Sequence, residues 1–115
     1  MRLVDPEHRV TVSELREMAT ALFGDLVKAV VDVRRGIMVV DAELHSDQEA
    51  FLLQAGSQQT DLWGINLYPE LRAEGFVEFD SMINLRPSQH NRTRGIENST
   101  TRERILQIVE ALVIG

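Results

Sequence analysis

The stretch with the clearest chemical character is a polar, arginine-rich segment that begins with apolar residues. Residues 83–94, the arginine loop, read INLRPSQHNRTR and contain three arginines, one glutamine, one histidine, two asparagines and no acidic residue. The planar guanidinium group donates paired hydrogen bonds that match the oxygens of a carboxylate or a phosphate. We therefore predict that this loop binds an anion, and the residues expected to contact it are Arg86, Gln89, His90, Asn91 and Arg92.

The same composition has a second, structural interpretation. Arginines can instead pair with the protein's own carboxylates, and Asp41, Glu43 and Asp80 are the candidate partners. Pro87 restricts the preceding residue to extended geometry, which helps to fix the direction of Arg86 under either interpretation. Both interpretations stay open at this point, and the partners of each arginine decide between them.

A second set of residues has the spacing of a metal site. Asp41, Glu43 and His45 lie at positions i, i+2 and i+4, so an extended chain would point all three side chains to one side. Carboxylate oxygens and an imidazole can chelate a divalent ion, and nearby arginines would then steady a phosphate in a small metal-dependent hydrolase or nuclease. The structural alternative is a solvated strand end near a helix N-terminus, where negative charge is favourable.

No pattern of residues identifies a catalytic nucleophile. Histidine is the side chain most often used as a general base, so His90 could act as one, but Ser88 lies in no recognisable nucleophile motif. Catalytic residues are therefore left unassigned, and no cofactor is predicted apart from the divalent ion of the alternative above.

Composition and charge narrow the class of protein further. The chain has 115 residues, 43% of them hydrophobic, and no cysteine, so we predict a single domain over residues 1–115 without disulfides or thiolate metal sites. The net charge of −6 disfavours nucleic acid as a partner. The charge is uneven, because residues 1–83 hold 15 acids and 7 bases whereas residues 84–115 hold 3 acids and 5 bases. No apolar run is long enough for a signal peptide or a membrane span, so we expect a cytoplasmic protein.

Three helices and four strands are expected to position these residues. Each helix start is marked by a Ser or Thr with a glutamate three residues on, which is a capping box. The three pairs are Thr11 with Glu14, Ser46 with Glu49, and Thr100 with Glu103. The predicted strands cover residues 26–34, 37–42, 62–68 and 76–79.

Two details of the strands can be tested. A two-residue turn at Arg35-Gly36 would place Val31 opposite Val40 in a hairpin. Gly64 lies inside the third strand, where a glycine often marks a bulge or a close approach to the backbone. We predict an α+β fold of order α-β-β-α-β-β-α, with a mainly antiparallel sheet of about four strands and helices packed on one face. The apolar area that this leaves, on the sheet or on the last helix, predicts a homodimer.

Three segments of the chain carry a resemblance to a known family. They are Glu43-Leu44-His45 with Asp47 and Glu49, the run DLWGINLYP at residues 61–69, and INLRPSQ with Asn91 and Arg92 at residues 83–92. Together they resemble a family of small, uncharacterised microbial proteins classed as a domain of unknown function, over residues 25–113. The resemblance implies a stand-alone soluble protein, and it brings no activity, substrate or catalytic residue with it.

The function favoured by the sequence is that of a binding or regulatory module. The arginine content and the missing catalytic motif indicate a partner that is a small anionic molecule or an acidic protein surface, bound through the arginine loop. Neither nucleic acid nor a membrane is expected as a partner, for the reasons of charge and hydropathy given above.

Overall fold

Segments of alternating apolar residues form an antiparallel sheet flanked by three helices, and the computed structural model describes every residue from 1 to 115. The fold is α+β, as the sequence predicted. In chain order the elements are β1 (Arg2–Val4), β2 (Val10–Thr11), α1 (Val12–Ala21), β3 (Val27–Asp32), β4 (Ile37–Val40), α2 (His45–Gln54), β5 (Leu62–Leu67), β6 (Val77–Glu78), α3 (Ser99–Leu112) and β7 (Val113–Ile114). Single 3-10 turns occupy Gln59–Asp61, Ala73–Gly75, Met82–Asn84 and Pro87–Gln89.

The main sheet has one strand more than predicted. Its order is β1-β4-β3-β5-β6, and every neighbouring pair is antiparallel. The additional strand, β1, pairs with β4 so that Leu3 lies opposite Val39. A three-residue strand followed closely by Pro6 is too short to show an alternating pattern, which is why the sequence did not reveal it. A separate parallel pair is formed by β2 and β7.

The turn between β3 and β4 is longer than the predicted two-residue turn. Val31 pairs with Met38 and not with Val40. The cause is Asp32, whose buried carboxylate accepts hydrogen bonds of 2.9 Å from the backbone N–H groups two and three residues further on. Because the register shifts by two residues, each side chain keeps the face of the sheet that the sequence assigned to it.

Helices cover both faces of the sheet, so the prediction of helices on one face was wrong. The larger apolar core lies between the sheet and helices α1 and α3, and it includes Leu15, Ala29, Val31, Met38, Ile65, Ile105, Ile108 and Leu112. On the opposite side, which we call the second face, Leu52 of α2 packs on Val30, Val39 and Leu62. The second face is apolar at one end only, and its other end carries Lys28 and Asn66.

One of the three predicted capping boxes is present. Thr11 accepts a hydrogen bond from the backbone of Glu14, and the Glu14 side chain bonds back to the backbone of Thr11. Helix α2 begins at His45 and has no side-chain cap, so the predicted Ser46 box does not form. Helix α3 begins at Ser99 and is capped by Asn98. Each of these two helices starts two residues earlier than its predicted box requires.

The last helix contributes its apolar face to the core. Ile105, Ile108, Val109 and Leu112 are all buried, whereas Leu106 and Ile114 are exposed. The predicted homodimer stays a prediction. No helix of the chain combines the length and the apolar character that crossing a membrane requires.

Candidate functional site

Side chains of the arginine loop form hydrogen bonds with the backbone along one edge of strand β5. The Asn84 amide accepts a hydrogen bond from Gly64 N and donates one to Gly64 O, each 2.9 Å long, as a neighbouring strand would. This requires a glycine, because a Cβ on residue 64 would lie 2.5 Å from Cβ of Ser81. The close approach that the sequence indicated at Gly64 is therefore confirmed.

Arg86 is a structural residue of this edge. It is 7% exposed, and its guanidinium donates hydrogen bonds to the carbonyl oxygens of Leu62, Ile83 (3.0 Å) and Gln59 (2.7 Å) and to the side chain of Gln89. It also stacks on the ring of Trp63, 4.2 Å from the centroid. Burial lowers the pKa of Arg86. Four of its five N–H groups are used by the protein itself, so the partners are backbone carbonyls and not the carboxylates considered above.

The other predicted ligand residues divide into internal and exposed ones. Asn91 is buried, and its Nδ2 donates to three backbone carbonyls, the closest at 2.7 Å, so it fixes the loop. Gln89 accepts from Arg86 and donates to the carbonyl of Thr60. His90 and Arg92 are exposed, and the Arg92 guanidinium has no hydrogen-bond or ion-pair partner.

A polar cleft lies beside the loop but lacks the charge that an anion site needs. This loop cleft has a volume of about 490 Å³ and is lined by Gln89, His90 and Asn91 together with Trp63 and Glu97, among others. No arginine or lysine lines it, and Glu97 adds a carboxylate. Three of the five predicted ligand residues therefore meet at a cleft whose chemistry does not favour anions.

The three residues of the predicted metal site do not act as one group. Asp41 has a φ of 68°, and the helix begins at His45, so the segment is not the extended chain that the spacing argument assumed. Glu43 is exposed, whereas the His45 ring is buried and bonds inward to the carbonyl of Ile65. The chain forms no cluster of three His, Asp or Glu side chains suited to a metal ion.

A smaller pocket lies at the polar end of the second face. This Lys28 pocket has a volume of about 180 Å³. Adjacent strands contribute Lys28 and Asn66, which lie directly opposite one another on β3 and β5. Its remaining walls are the start of α2, residues 80–83 and the side chain of Arg94, and the full lining is Lys28, Leu44, His45, Ser46, Asn66, Asp80, Ser81, Met82, Ile83 and Arg94.

The pocket carries a net positive charge. Lys28 forms no ion pair, and its Nζ lies over the ring of Phe23, 5.0 Å from the centroid. Arg94 donates to the carboxylate of Asp80 at 2.7 Å, so these two charges offset each other. Burial lowers the pKa of His45, and the charge of Lys28 lowers it further, so the imidazole is neutral at pH 7. One positive charge remains without a partner, and it is that of Lys28.

Polar groups of the pocket walls are also left without partners. No side chain caps the first turn of α2, where backbone N–H groups and the helix dipole favour negative charge. His45 Nε2 lies 2.8 Å from the carbonyl of Ile65 and must donate to it, which leaves Nδ1 as the acceptor of the neutral ring. Asn66 is 7% exposed, and its Oδ1 is buried with no hydrogen-bond partner.

The arginine loop holds two walls of the Lys28 pocket in place. The backbone carbonyl of Arg94 accepts hydrogen bonds from Ser81 N at 2.9 Å and from the Asn84 amide at 3.0 Å. These bonds hold Arg94 and residues 80–83 against β5, where both line the pocket. The loop therefore contributes to the pocket through Arg94 and not through Arg86 or Arg92.

Sequence reasoning did not identify Lys28 or Asn66 as site residues. Lys28 is the single lysine of the chain, and it interrupts an apolar strand, which is a signal that could have been used. Asn66 likewise stands between the apolar Ile65 and Leu67. The pairing of β3 with β5 makes these two polar residues neighbours, and only the register reveals that.

The three segments that carry the family resemblance meet around β5. His45 bonds to Ile65, Asn84 to Gly64, and Arg86 to Leu62. No curated protein and no solved structure matches the chain significantly. A family model described as protein of unknown function, DUF5674, matches residues 5–112. The chain therefore belongs to the DUF5674 family.

Proposed function

We propose that this protein is a binding module that holds a small anionic ligand in the Lys28 pocket. The observation that carries the proposal is the unpaired Lys28 ammonium at the wall of a pocket of about 180 Å³. Lys28 is half-buried, and its ammonium attracts an anion in the pocket more strongly than it would in bulk water, because the protein walls lower the local dielectric constant.

The charge of the rest of the protein makes anion binding elsewhere on its surface unfavourable. The chain has a net charge of −6, so most of its surface repels anions. A local positive site with low-dielectric walls attracts them and orients their approach. The uncapped first turn of α2 adds backbone donors beside Lys28, which is the arrangement by which helix N-termini bind anions.

The arginine loop has a supporting role in this proposal. Arg86 and Asn91 are engaged with backbone carbonyls, so they keep the loop in place while Arg94 lines the pocket. We therefore keep the prediction of an anionic ligand, but we propose that it binds on the second face of the sheet and not on the outer side of the arginine loop.

A titration with two variants tests the proposal. Inorganic phosphate and lactate are added separately to ¹⁵N-labelled protein, up to about 10 mM, a range in which a millimolar Kd is still measurable. Lys28→Gln should weaken the binding of whichever anion binds by about 10- to 100-fold, the ratio that corresponds to one charged hydrogen bond. Arg92→Gln is the matched control, because it removes an exposed positive charge that has no partner.

The two variants separate the two locations. Loss of binding in Lys28→Gln with normal binding in Arg92→Gln supports the Lys28 pocket. The reverse result would place the anion on the outer side of the arginine loop and refute the proposal. Amide shifts confined to residues far from β3, β5 and the start of α2 would also contradict it.

A further inference from the structure

We infer that the ligand of the Lys28 pocket is a small carboxylate that carries a hydrogen-bond donor, a hydroxyl or an amino group, next to the carboxylate. This inference rests on the proposed function, because it describes the occupant of the same pocket. It goes further by assigning a chemical class to that occupant.

The donor is inferred from the unpaired oxygen of Asn66. Asn66 Nδ2 donates to the carboxylate of Glu78 at 2.9 Å and to the backbone carbonyl of Asp80 at 3.3 Å. Both partners can only accept, so the amide cannot turn over without losing both bonds. Its Oδ1 therefore stays an acceptor, and it is buried without a donor although the residue lines the pocket. Buried polar atoms are almost always hydrogen-bonded, so a ligand group that donates to this oxygen completes the site.

The charge of the pocket indicates a single negatively charged group on the ligand. Among the side chains that line the pocket, Arg94 and Asp80 offset each other through their ion pair and the buried His45 is neutral, which leaves the charge of Lys28. The neighbouring Glu78 carboxylate lies outside the lining and accepts hydrogen bonds from Asn66 and from the Tyr68 hydroxyl. A monocarboxylate balances one ammonium group. A phosphate dianion would leave a negative charge in excess beside the carboxylate of Asp80, and like charges at short range are unfavourable.

The size of the pocket sets the size of the ligand. An apolar cavity of about 150 Å³ holds one benzene molecule, which has six non-hydrogen atoms. The Lys28 pocket, at about 180 Å³, therefore accommodates roughly seven such atoms. Small α-hydroxy and α-amino acids have this size, and they carry the carboxylate and the donor on neighbouring atoms.

The test compares ligands that differ only in the donor. Lactate, alanine, propionate and inorganic phosphate are titrated separately into the native ¹⁵N-labelled protein. Lactate or alanine should bind with shifts at Lys28 and Asn66, and propionate should bind at least about tenfold more weakly, because it leaves the buried Asn66 oxygen unpaired. This comparison uses only the native protein, so it does not depend on how well any variant folds.

A variant adds a second readout. Asn66→Leu removes the acceptor, so lactate and propionate should bind to it with equal affinity once circular dichroism shows that it is folded. Equal affinities of lactate, alanine and propionate for the native protein would overturn the inference and leave the proposed function standing. Binding of phosphate without binding of the carboxylates would have the same meaning. If none of the four probes binds, both the inference and the proposed function fail.

Discussion

Replacing Arg86 with alanine tests whether the arginine loop is a structural cap on β5. The change removes the donors to the buried carbonyl of Leu62 and to the part-buried carbonyls of Ile83 and Gln59. The Leu62 carbonyl, left unpaired away from water, costs about 1–3 kcal/mol, and water can replace part of the other two bonds. The lost stacking on Trp63 adds about 1 kcal/mol. The variant no longer has to bury a guanidinium, which offsets the loss of the two part-buried bonds, so we expect Arg86→Ala to lower the free energy of unfolding by about 2–4 kcal/mol.

Urea denaturation measures this loss. With a slope of about 2 kcal/mol per molar urea, the midpoint should fall by about 1–2 M. The single tryptophan, Trp63, is buried against Arg86, so its fluorescence reports unfolding at the site of the change. Arg92→Ala is the control, and as an exposed residue without partners it should change stability by no more than about 0.5 kcal/mol. Equal midpoints for the two variants would show that the carbonyl contacts of Arg86 do not stabilise the protein, and the structural role would have to be abandoned.

Two further changes probe the close approach at Gly64 and the N-terminal contacts. Gly64→Ala should destabilise the protein by about 1–3 kcal/mol, measured by the same urea assay, because the new methyl group would overlap Ser81; an unchanged midpoint would contradict the contact. A hydrogen bond from Arg2 lowers the pKa of Glu14 to about 2 from its ordinary value of 4.5. A lowered pKa stabilises the folded state above pH 4.5, and this contribution is lost as the pH falls towards 2. Arg2→Ala should therefore reduce the slope of stability against pH between these values, and urea midpoints at several pH values that run parallel for the two proteins would argue against it.

Local patterns identified the features that depend on residues close together in the chain. The Thr11 capping box and the apolar face of α3 were correct, because each depends on spacing within one element. The constraint at Gly64 was also correct, because a glycine inside a strand indicates a close approach, although the contact itself comes from Ser81. The α+β class followed from the same local patterns. The predicted two-residue turn after β3 was wrong, because the side chain of Asp32 bonds to the backbone and lengthens the turn.

Tertiary contacts decided how those elements were used. Helix α2 packs on the second face of the sheet, and no periodicity in its own sequence indicates which face it covers. The short strand β1 exists only because β4 offers it an edge. Lys28 and Asn66 become one wall of a pocket because β3 and β5 pair in a register that is set by residues elsewhere in the sheet.

The composition of the arginine loop correctly indicated that its side chains require many hydrogen-bond acceptors. It could not indicate their source, because a guanidinium donates equally well to a ligand and to a backbone carbonyl. Arg86 finds the carbonyl of Leu62, 24 residues earlier, and that of Gln59, 27 residues earlier. The sequence alone determined which residues carry hydrogen-bond donors. The tertiary structure decided which acceptors reach those donors, because the acceptors lie on distant segments of the backbone that come together only in the folded chain.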